Sequence, residues 1–415
     1  MAARLRVLVV GASIAGPATA YWLARAGAEV TVIERFPGIR KGGQAVDIRG
    51  CGLTVMRRMP GMEDLVRAKP TGEEGLSFVR NDGRPYGIIR ATGNPDQQAL
   101  LSELEIFRGD LSTILHDLTN RHESIRYKFN EQVLSIKQHA TAGLLEVAFA
   151  SGRQNAPFDL VVAADGATSR TRAIGLECGV RDHIHSTDTW AAYFSTKKNY
   201  TNGDKVSLGY SAPGGRFMNA GYKPSGGSHA MMMGRGTASA NAFRQAAEQG
   251  RTREFVAEQY SNAGWISNDL VEELKTADDF YASEIVQVKV PTLHKGRFVL
   301  VGDAGYAVGP TGFGTSIALA GAYVLAGEIK KHSGDVDAAL EAYERQMRPL
   351  IKDMQKIPPF VGSIAAPQSA WAIWVRNQLF AFVAWSGVAE FLQRFLGGAF
   401  KNSKEFPLPE YEWDE

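Results

Sequence analysis

Residues 7–34 read VLVVGASIAGPATAYWLARAGAEVTVIE, and the fold turns on how that line is parsed. A continuous apolar run, Val7 to Val10, meets Gly11, then small residues to Gly16, then an apolar pattern of helical period, then a second β-type run ending at Glu34. The order is strand, tight glycine turn, helix, strand. Each position has a physical reason. Gly11 permits the sharp turn, the small Ser13 lets a pyrophosphate approach backbone N–H groups, and Gly16 lets the helix press on the strand. The helix start then faces the phosphate. Glu34 follows about 20 residues on, where an acid accepts hydrogen bonds from a ribose hydroxyl pair. NAD and FAD use the same cradle, and a ligand-free glycine turn is the bland alternative, so this stretch leaves the occupant open.

Composition narrows the class. At 415 residues with 44% hydrophobic residues, the chain has material for two cores. Lys+Arg 46 against Asp+Glu 44 leaves a net +2 without long charged blocks, which argues against a nucleic-acid partner. The 44 glycines exceed ordinary usage of about 7% and suit a backbone that repeatedly approaches a ligand. Cys51 and Cys178, the two cysteines, are too few for a disulfide framework or a thiolate metal cage, so a reduced cytoplasmic protein without a metal site is expected. Arg4 and Arg6 run straight into the first strand, which argues against a signal peptide.

Further along, residues 35–50 form a Gly-rich, charged loop whose Arg40, Lys41, Asp47 and Arg49 are placed to meet a phosphate, a flavin edge or a passing nicotinamide cofactor, a solvated loop being the alternative. A helix-like piece spans Gly52 to Ala68, and Leu76 to Ile89 reads as a hairpin turning at Asp82-Gly83. Arg108 opens a helix reaching about Asn120; a cation there opposes the helix dipole and points to an external anion, a salt-bridged arginine being the alternative. Ile125 to Gln138 and Gly143 to Ser151 read as strands, and Phe158 to Ala164 as a buried strand ending in Asp165-Gly166, a ligand contact or a plain turn. Alternating strands and then helices fill about 181–290, predicting an antiparallel sheet with helical cover. Met231 to Met233, Phe217, Tyr210 and Trp190 either face an apolar pocket or pack a core. The chain returns through an apolar strand to Gly302-Asp303, and the Gly309 to Ser316 loop starts a small-residue helix whose free N–H groups stabilise negative charge. In the Trp-rich tail the charge-free run 377–389 is shorter than the roughly 20 residues a bilayer needs, so an amphipathic helix across both domains is expected rather than a span.

Three glycine corners now stand in order: Gly11-Ala-Ser13-Ile-Ala15-Gly16, Asp165-Gly166 with Ser169 and Arg172, and Gly302-Asp303-Ala304 with Pro310-Thr-Gly312-Phe313-Gly314. Together they resemble the fingerprints of the class A flavoprotein monooxygenases, the aromatic hydroxylases similar to para-hydroxybenzoate hydroxylase. Residues 43–50, Arg108-Gly-Asp110-Leu and the C-terminal helix look most like the tetracycline-inactivating members. The chain departs from the family at Ser13, where a glycine is usual, and at Gly305-Tyr306, where many members have Ala-His.

The resemblance implies an α/β fold: a Rossmann-like FAD-binding domain (1–75, 100–180 and 291–350) interleaved with an α+β substrate domain (76–99 and 181–290), a C-terminal bridging helix (351–400) and a tail (401–415). It implies noncovalent FAD, with Gly11, Ser13 and Gly16 at the pyrophosphate, Glu34 at the adenosine ribose, Arg108 at the phosphate or ribityl region, and Ala15 and Arg35 among the cofactor-binding residues. Asp303 after Gly302 would meet the ribityl chain, and Pro310, Gly312, Phe313, Gly314 and Thr315 the isoalloxazine, with Asp47, Arg49 and Asp165 supporting FAD. Arg40 or Lys41 would meet the phosphate of NADPH, NADH being the other donor. The implied reaction uses O2 and a flavin C4a-hydroperoxide to hydroxylate an aromatic or polycyclic, polyketide-like substrate. Its chemistry is flavin-borne, with Arg49 and Pro310 near the ring and no protein base named. An FAD oxidase or reductase, or a non-catalytic flavin-binding protein, is the alternative. A monomer without membrane insertion is expected.

Overall fold

The computed structural model describes residues 4–40, 42–90, 104–138, 143–152, 156–357, 361–386 and 407–413. The opening apolar run forms the strand Arg6–Val10, which pairs in parallel with Glu29–Glu34 on one side and Leu160–Ala163 on the other. Ile125–Phe129 and Phe298–Leu300 extend the two sides in parallel, and His294–Lys295 adds an antiparallel edge, giving six strands. Near-continuous burial of Val7–Val10, Leu160–Ala163 and Phe298–Leu300 follows from helices covering both faces. Arg6–Val10 is where the winding reverses, so the crevice at the strands' carboxyl ends opens beside Gly11.

A seven-stranded sheet runs in the order Tyr281–Val288, Ile184–Thr196, Ser228–Arg235, Arg216–Tyr222, Val206–Ala212, Gly75–Phe78 and Ile89–Arg90. It is antiparallel as expected except where Val206–Ala212 runs parallel to Gly75–Phe78. The period-2 alternation of its strands settles the methionine question by parity. Trp190, Phe194, Met218 and Met232 point into a second core under the helices Thr237–Glu248, Thr252–Tyr260 and Ser267–Thr276. Tyr193, Phe217, Met231 and Met233 are half-buried on the opposite face.

Three expectations change. The run Ile125 to Gln138 is two strands in different sheets, because Asn130 takes a positive φ of 55° and turns the chain between Ile125–Phe129 and Val133–Gln138. The C-terminal region is not one amphipathic helix: Val336–Met354, Val361–Ala365 and Ala370–Trp385 are separate, with Pro367 between the last two. Ala370–Trp385 is apolar around most of its circumference, leaving Trp371, Trp374 and Trp385 exposed, and is pinned to the seven-stranded sheet by the buried Arg376. The Arg376 Nη2 donates to Ser211 Oγ at 2.9 Å, and its guanidinium lies 3.7 Å from the Phe78 ring centroid. Residues 407–413 are no loose tail: Trp413 packs on Trp22 with centroids 4.7 Å apart, and the Tyr411 hydroxyl donates to Glu328 Oε1 at 2.7 Å.

Candidate functional site

Glycine makes the three corners meet. Gly11 has φ +107°, and a Cβ there would lie 2.5 Å from the carbonyl oxygen of Ala164, so the first corner passes against the second. A Cβ on Gly302 would lie 2.8 Å from Ala15 Cβ, which seats the third corner on the first helix. Gly16 is tighter still, its Cβ position being 1.8 Å from the Gly11 carbonyl oxygen. Glu34 ties the turn together: Oε2 accepts from the Ala12 N–H at 2.9 Å and Oε1 from the Phe36 N–H at 3.1 Å. Ser13 and Ser112 hydroxyls meet at 3.4 Å, joining the turn to the Arg108–Asn120 helix.

Two helices start at this junction, Ala15–Arg25 and Gly314–Lys331, and neither has a capping side chain or an acid in its first turn. Their leading N–H groups and the positive ends of their dipoles are therefore free for an anion. Arg108 sits nearby, and among the described residues its guanidinium has no hydrogen bond or ion pair. Its charge reaches Asp303, Tyr193 and Tyr281, each of whose titration it lowers. Burial raises the Asp303 carboxyl, and Arg108 partly offsets that. Burial pushes Tyr281 upward too, but Arg108, the Ser283 hydrogen bond and Arg40 outweigh it and leave the phenol lowered.

The far end of the cleft is built from loops 43–50 and 309–316. Arg49 pairs with Asp47 at 2.9 Å, its backbone N–H donates to Ser316 Oγ at 2.9 Å, and a Cβ on Gly312 would come 3.6 Å from Asp47 Oδ2. Gly52 is needed for this junction, since its Cβ would be 2.6 Å from Ser316 Cα. Pro310 and Gly312 are exposed on the rim, and Thr315 is buried in the helix's first turn. Gln44 Oε1, Arg49 Nε and Thr311 Oγ1 are buried without a protein hydrogen-bond partner. Such atoms cost about 1–3 kcal/mol each unless a ligand satisfies them. Two anion-ready helix starts, Arg108 nearby and orphaned polar atoms in the loops fit a dinucleotide with a polar-edged ring.

Several of the expected site residues make protein contacts of their own. Asp165 accepts from the hydroxyls of Ser169 and Thr171 and, at 3.3 Å, from the Thr171 N–H, so its carboxylate is spent inside its own corner. Arg172 is buried and donates to the carbonyls of Ala167, Ala304 and Val180, clamping the second corner to the third. Tyr306, at the family departure, is buried with its hydroxyl 3.2 Å from that of Tyr343 and serves the core. Arg35 is exposed and lies over Phe36 at 4.8 Å. Arg40, also exposed, lies 4.6 Å from the Tyr281 ring centroid at the mouth of the cleft, and Lys41 lies outside the described residues. Ser112, Tyr193 and Tyr281 escaped sequence reading, since lone hydroxyl residues far along the chain carry no motif, and Ser316 enters it only as the end of the 309–316 loop. Among the described residues no cluster of metal-ligating side chains occurs, and no helix is long and apolar enough to cross a membrane.

The family model described as an FAD binding domain matches residues 4–356. The chain is 34% identical to a flavin-dependent monooxygenase of an unknown prokaryotic organism, over 98% of this chain and 99% of that one. It is 32% identical to Monooxygenase CTB7 of Cercospora beticola, over 98% of each chain. Among solved structures it is similar to tetracycline destructase Tet(51), with a TM-score of 0.78 at 28% identity, covering 99% of this chain and 100% of that one.

Proposed function

The chain belongs to the FAD-binding flavin-dependent monooxygenases, and from that membership we propose that it uses NAD(P)H and O2 to hydroxylate a flat phenolic or polycyclic molecule. When bound, FAD supplies the redox chemistry, accepting a hydride from NAD(P)H and delivering one oxygen atom of O2 to the substrate. The chain's own residues do the rest. Gly11, Ser13 and Gly16 with the Ala15–Arg25 helix start hold the pyrophosphate, Glu34 the ribose, Arg108 and Asp303 the ribityl side, and the 310–315 loop the ring. The free N–H groups at Gly314 and Thr315 stabilise negative charge on a reduced ring. Arg40, stacked on Tyr281 at the mouth, is the cation for a nicotinamide nucleotide's phosphate.

The observation that carries the substrate class is the half-buried inner face of the seven-stranded sheet. Tyr193, Phe217, Met231 and Met233 line it, and Phe217 meets Phe78, which meets Phe380 at 4.9 Å. A wall of aromatic rings and pliable thioethers suits a flat, extended ring system. A tetracycline-like polyketide is one candidate, by similarity to the tetracycline destructase. The test is NADPH and NADH consumption by the purified holoenzyme against phenols, polyketides and indoles under isotopically labelled dioxygen. The proposal expects substrate-stimulated oxidation with label in the product. Oxidised but unlabelled product points to an oxidase, and no stimulation by any compound to a binding protein.

A further inference from the structure

Asp47 and Glu105 stand directly opposite each other in the short antiparallel ladder of Ala45–Asp47 and Glu105–Phe107. Residues so placed share one face with β-carbons about 4.5–5.5 Å apart, and two carboxylates there repel. Asp47 has Arg49 at 2.9 Å. Glu105 forms no ion pair among the described residues; its hydrogen bond comes from the Thr71 hydroxyl at 2.8 Å. Behind it lies a third carboxyl, Glu73, whose Oε1 is 2.7 Å from His229 Nε2. That pair fits because residue 221 is glycine: a Cβ there would come 2.0 Å from Glu73 Oε1 and 2.1 Å from His229 Nε2. The Phe107 ring edges against His229, with centroids 5.4 Å apart.

The cluster has two accessible ends and a buried middle. The side chains of Asp47 and His229 are 21% and 18% exposed, whereas Glu73 is 8% exposed. Asp47 lies under Gly312, the expected seat of the ring, and His229 lies on the inner face of the seven-stranded sheet beside Met231. The charged groups that act on Glu105 are Glu73 from the approach to Gly75–Phe78, Asp47 across the ladder and His229 from the sheet, with Arg49 held on Asp47. The Lys69–Asp110 and Glu74–Lys205 pairs lie at the surface. Burial, then Glu73, then Asp47 push the Glu105 carboxyl up to about 7. Carboxyls so close cannot all ionise together, and a proton held among them is shared.

We propose that Asp47, Glu105, Glu73 and His229 form a proton relay between the flavin pocket and the inner face of the seven-stranded sheet, with one proton shared by the carboxyls at rest. The inference rests on the FAD site being where the glycine corners put it. The relay moves a proton and no electrons. A proton leaving a substrate hydroxyl enters at the free ring nitrogen of His229, and Nε2 gives its own to Glu73. The displaced proton passes to Glu105, and Asp47, the partly exposed end of the cluster, hands one to water. Aromatic hydroxylation frees a proton in a water-excluded site, and this is a route for it.

Infrared titration of the FAD-free protein tests the relay without turnover. Wild type is expected to show a protonated-carboxyl band that is lost as pH rises through about 7. Glu105→Gln is expected to lack it, and His229→Gln to move its midpoint upward, because the histidine's charge lowers the Glu105 carboxyl. A wild-type band lost entirely below pH 5, or one that survives unchanged in Glu105→Gln, overturns the relay. Should Glu105→Gln not fold, the midpoint in His229→Gln decides, an unmoved midpoint being the contrary result. FAD titration of wild type runs beside it: absence of binding there sinks the FAD site, whereas binding with no carboxyl titration sinks the relay alone.

Discussion

Two aspartates leave the carboxyl ends of neighbouring parallel strands, Asp165 after Leu160–Ala163 and Asp303 after Phe298–Leu300, and each adjoins a glycine of positive φ. Burial raises both carboxyls. Their partners differ. Asp165 is saturated by Ser169 and Thr171 within six residues of chain, while Asp303 has no hydrogen bond among the described residues and faces Arg108. A corner that spends its polar groups on itself works as a hinge pin; one that leaves them unspent is open to a ligand. Sequence motif alone does not distinguish the two, because the difference lies in which hydroxyls the next turn supplies.

The comparison breaks most violently at Arg172. Replacing it by methionine leaves the carbonyls of Ala167, Ala304 and Val180 buried and unpaired, at roughly 1–3 kcal/mol for each such group. Denaturant unfolding should show a loss on the order of 3 kcal/mol or more, and a loss under about 1 kcal/mol would mean that the clamp is not structural. Next comes the ligand seat. Asp303→Ala should weaken FAD binding roughly 10- to 100-fold, equivalent to about 1.4–2.8 kcal/mol, with the melting temperature of the FAD-free protein unchanged or raised. An affinity equal to wild type by fluorescence titration would remove Asp303 from the site.

Asp165→Asn sharpens the contrast from the other side. Its charge-assisted hydrogen bonds weaken, so the FAD-free protein should lose about 1–2 kcal/mol while FAD affinity stays close to wild type. A large affinity loss with intact stability would reverse the assignment of the two corners. A pH response is expected as well. Glu105 titrates near 7 in the fold against 4.5 when unfolded. The folded state therefore binds the extra proton, and the stability it confers is complete below 4.5 and lost as pH rises through about 7. Glu105→Gln should gain stability relative to wild type on going from pH 5 to pH 8, measured by thermal melting, and a flat difference would contradict the assignment.

Much of this was legible in the chain. The βαβ unit at 7–34 could be read because its apolar period switches at glycines whose necessity is steric, as the Gly11 and Gly16 contacts show. The second sheet was legible from alternation, and that alternation also decides which methionines face the pocket. What escaped reading was long-range pairing. The parallel Val206–Ala212 and Gly75–Phe78 pair joins segments about 130 residues apart, consistent with the slow, topology-set character of such contacts. Arg376, placed under Phe78 from a helix that looks merely apolar, and Trp413, brought back onto Trp22, depend on where distant segments land. The Asp47–Glu105–Glu73–His229 cluster is the extreme case, since its members come from four separate segments and none carries a local signal.

The central claim is that three glycine corners far apart in sequence build one FAD seat, with Asp303 and not Asp165 turned toward the ligand. Calorimetric titration of the FAD-stripped protein and its two single variants tests it most directly. One FAD per chain, at least about tenfold weaker in Asp303→Ala and close to wild type in Asp165→Asn, is the predicted result. A wild-type protein that takes up no FAD, or one whose affinity depends on Asp165 and ignores Asp303, would contradict it.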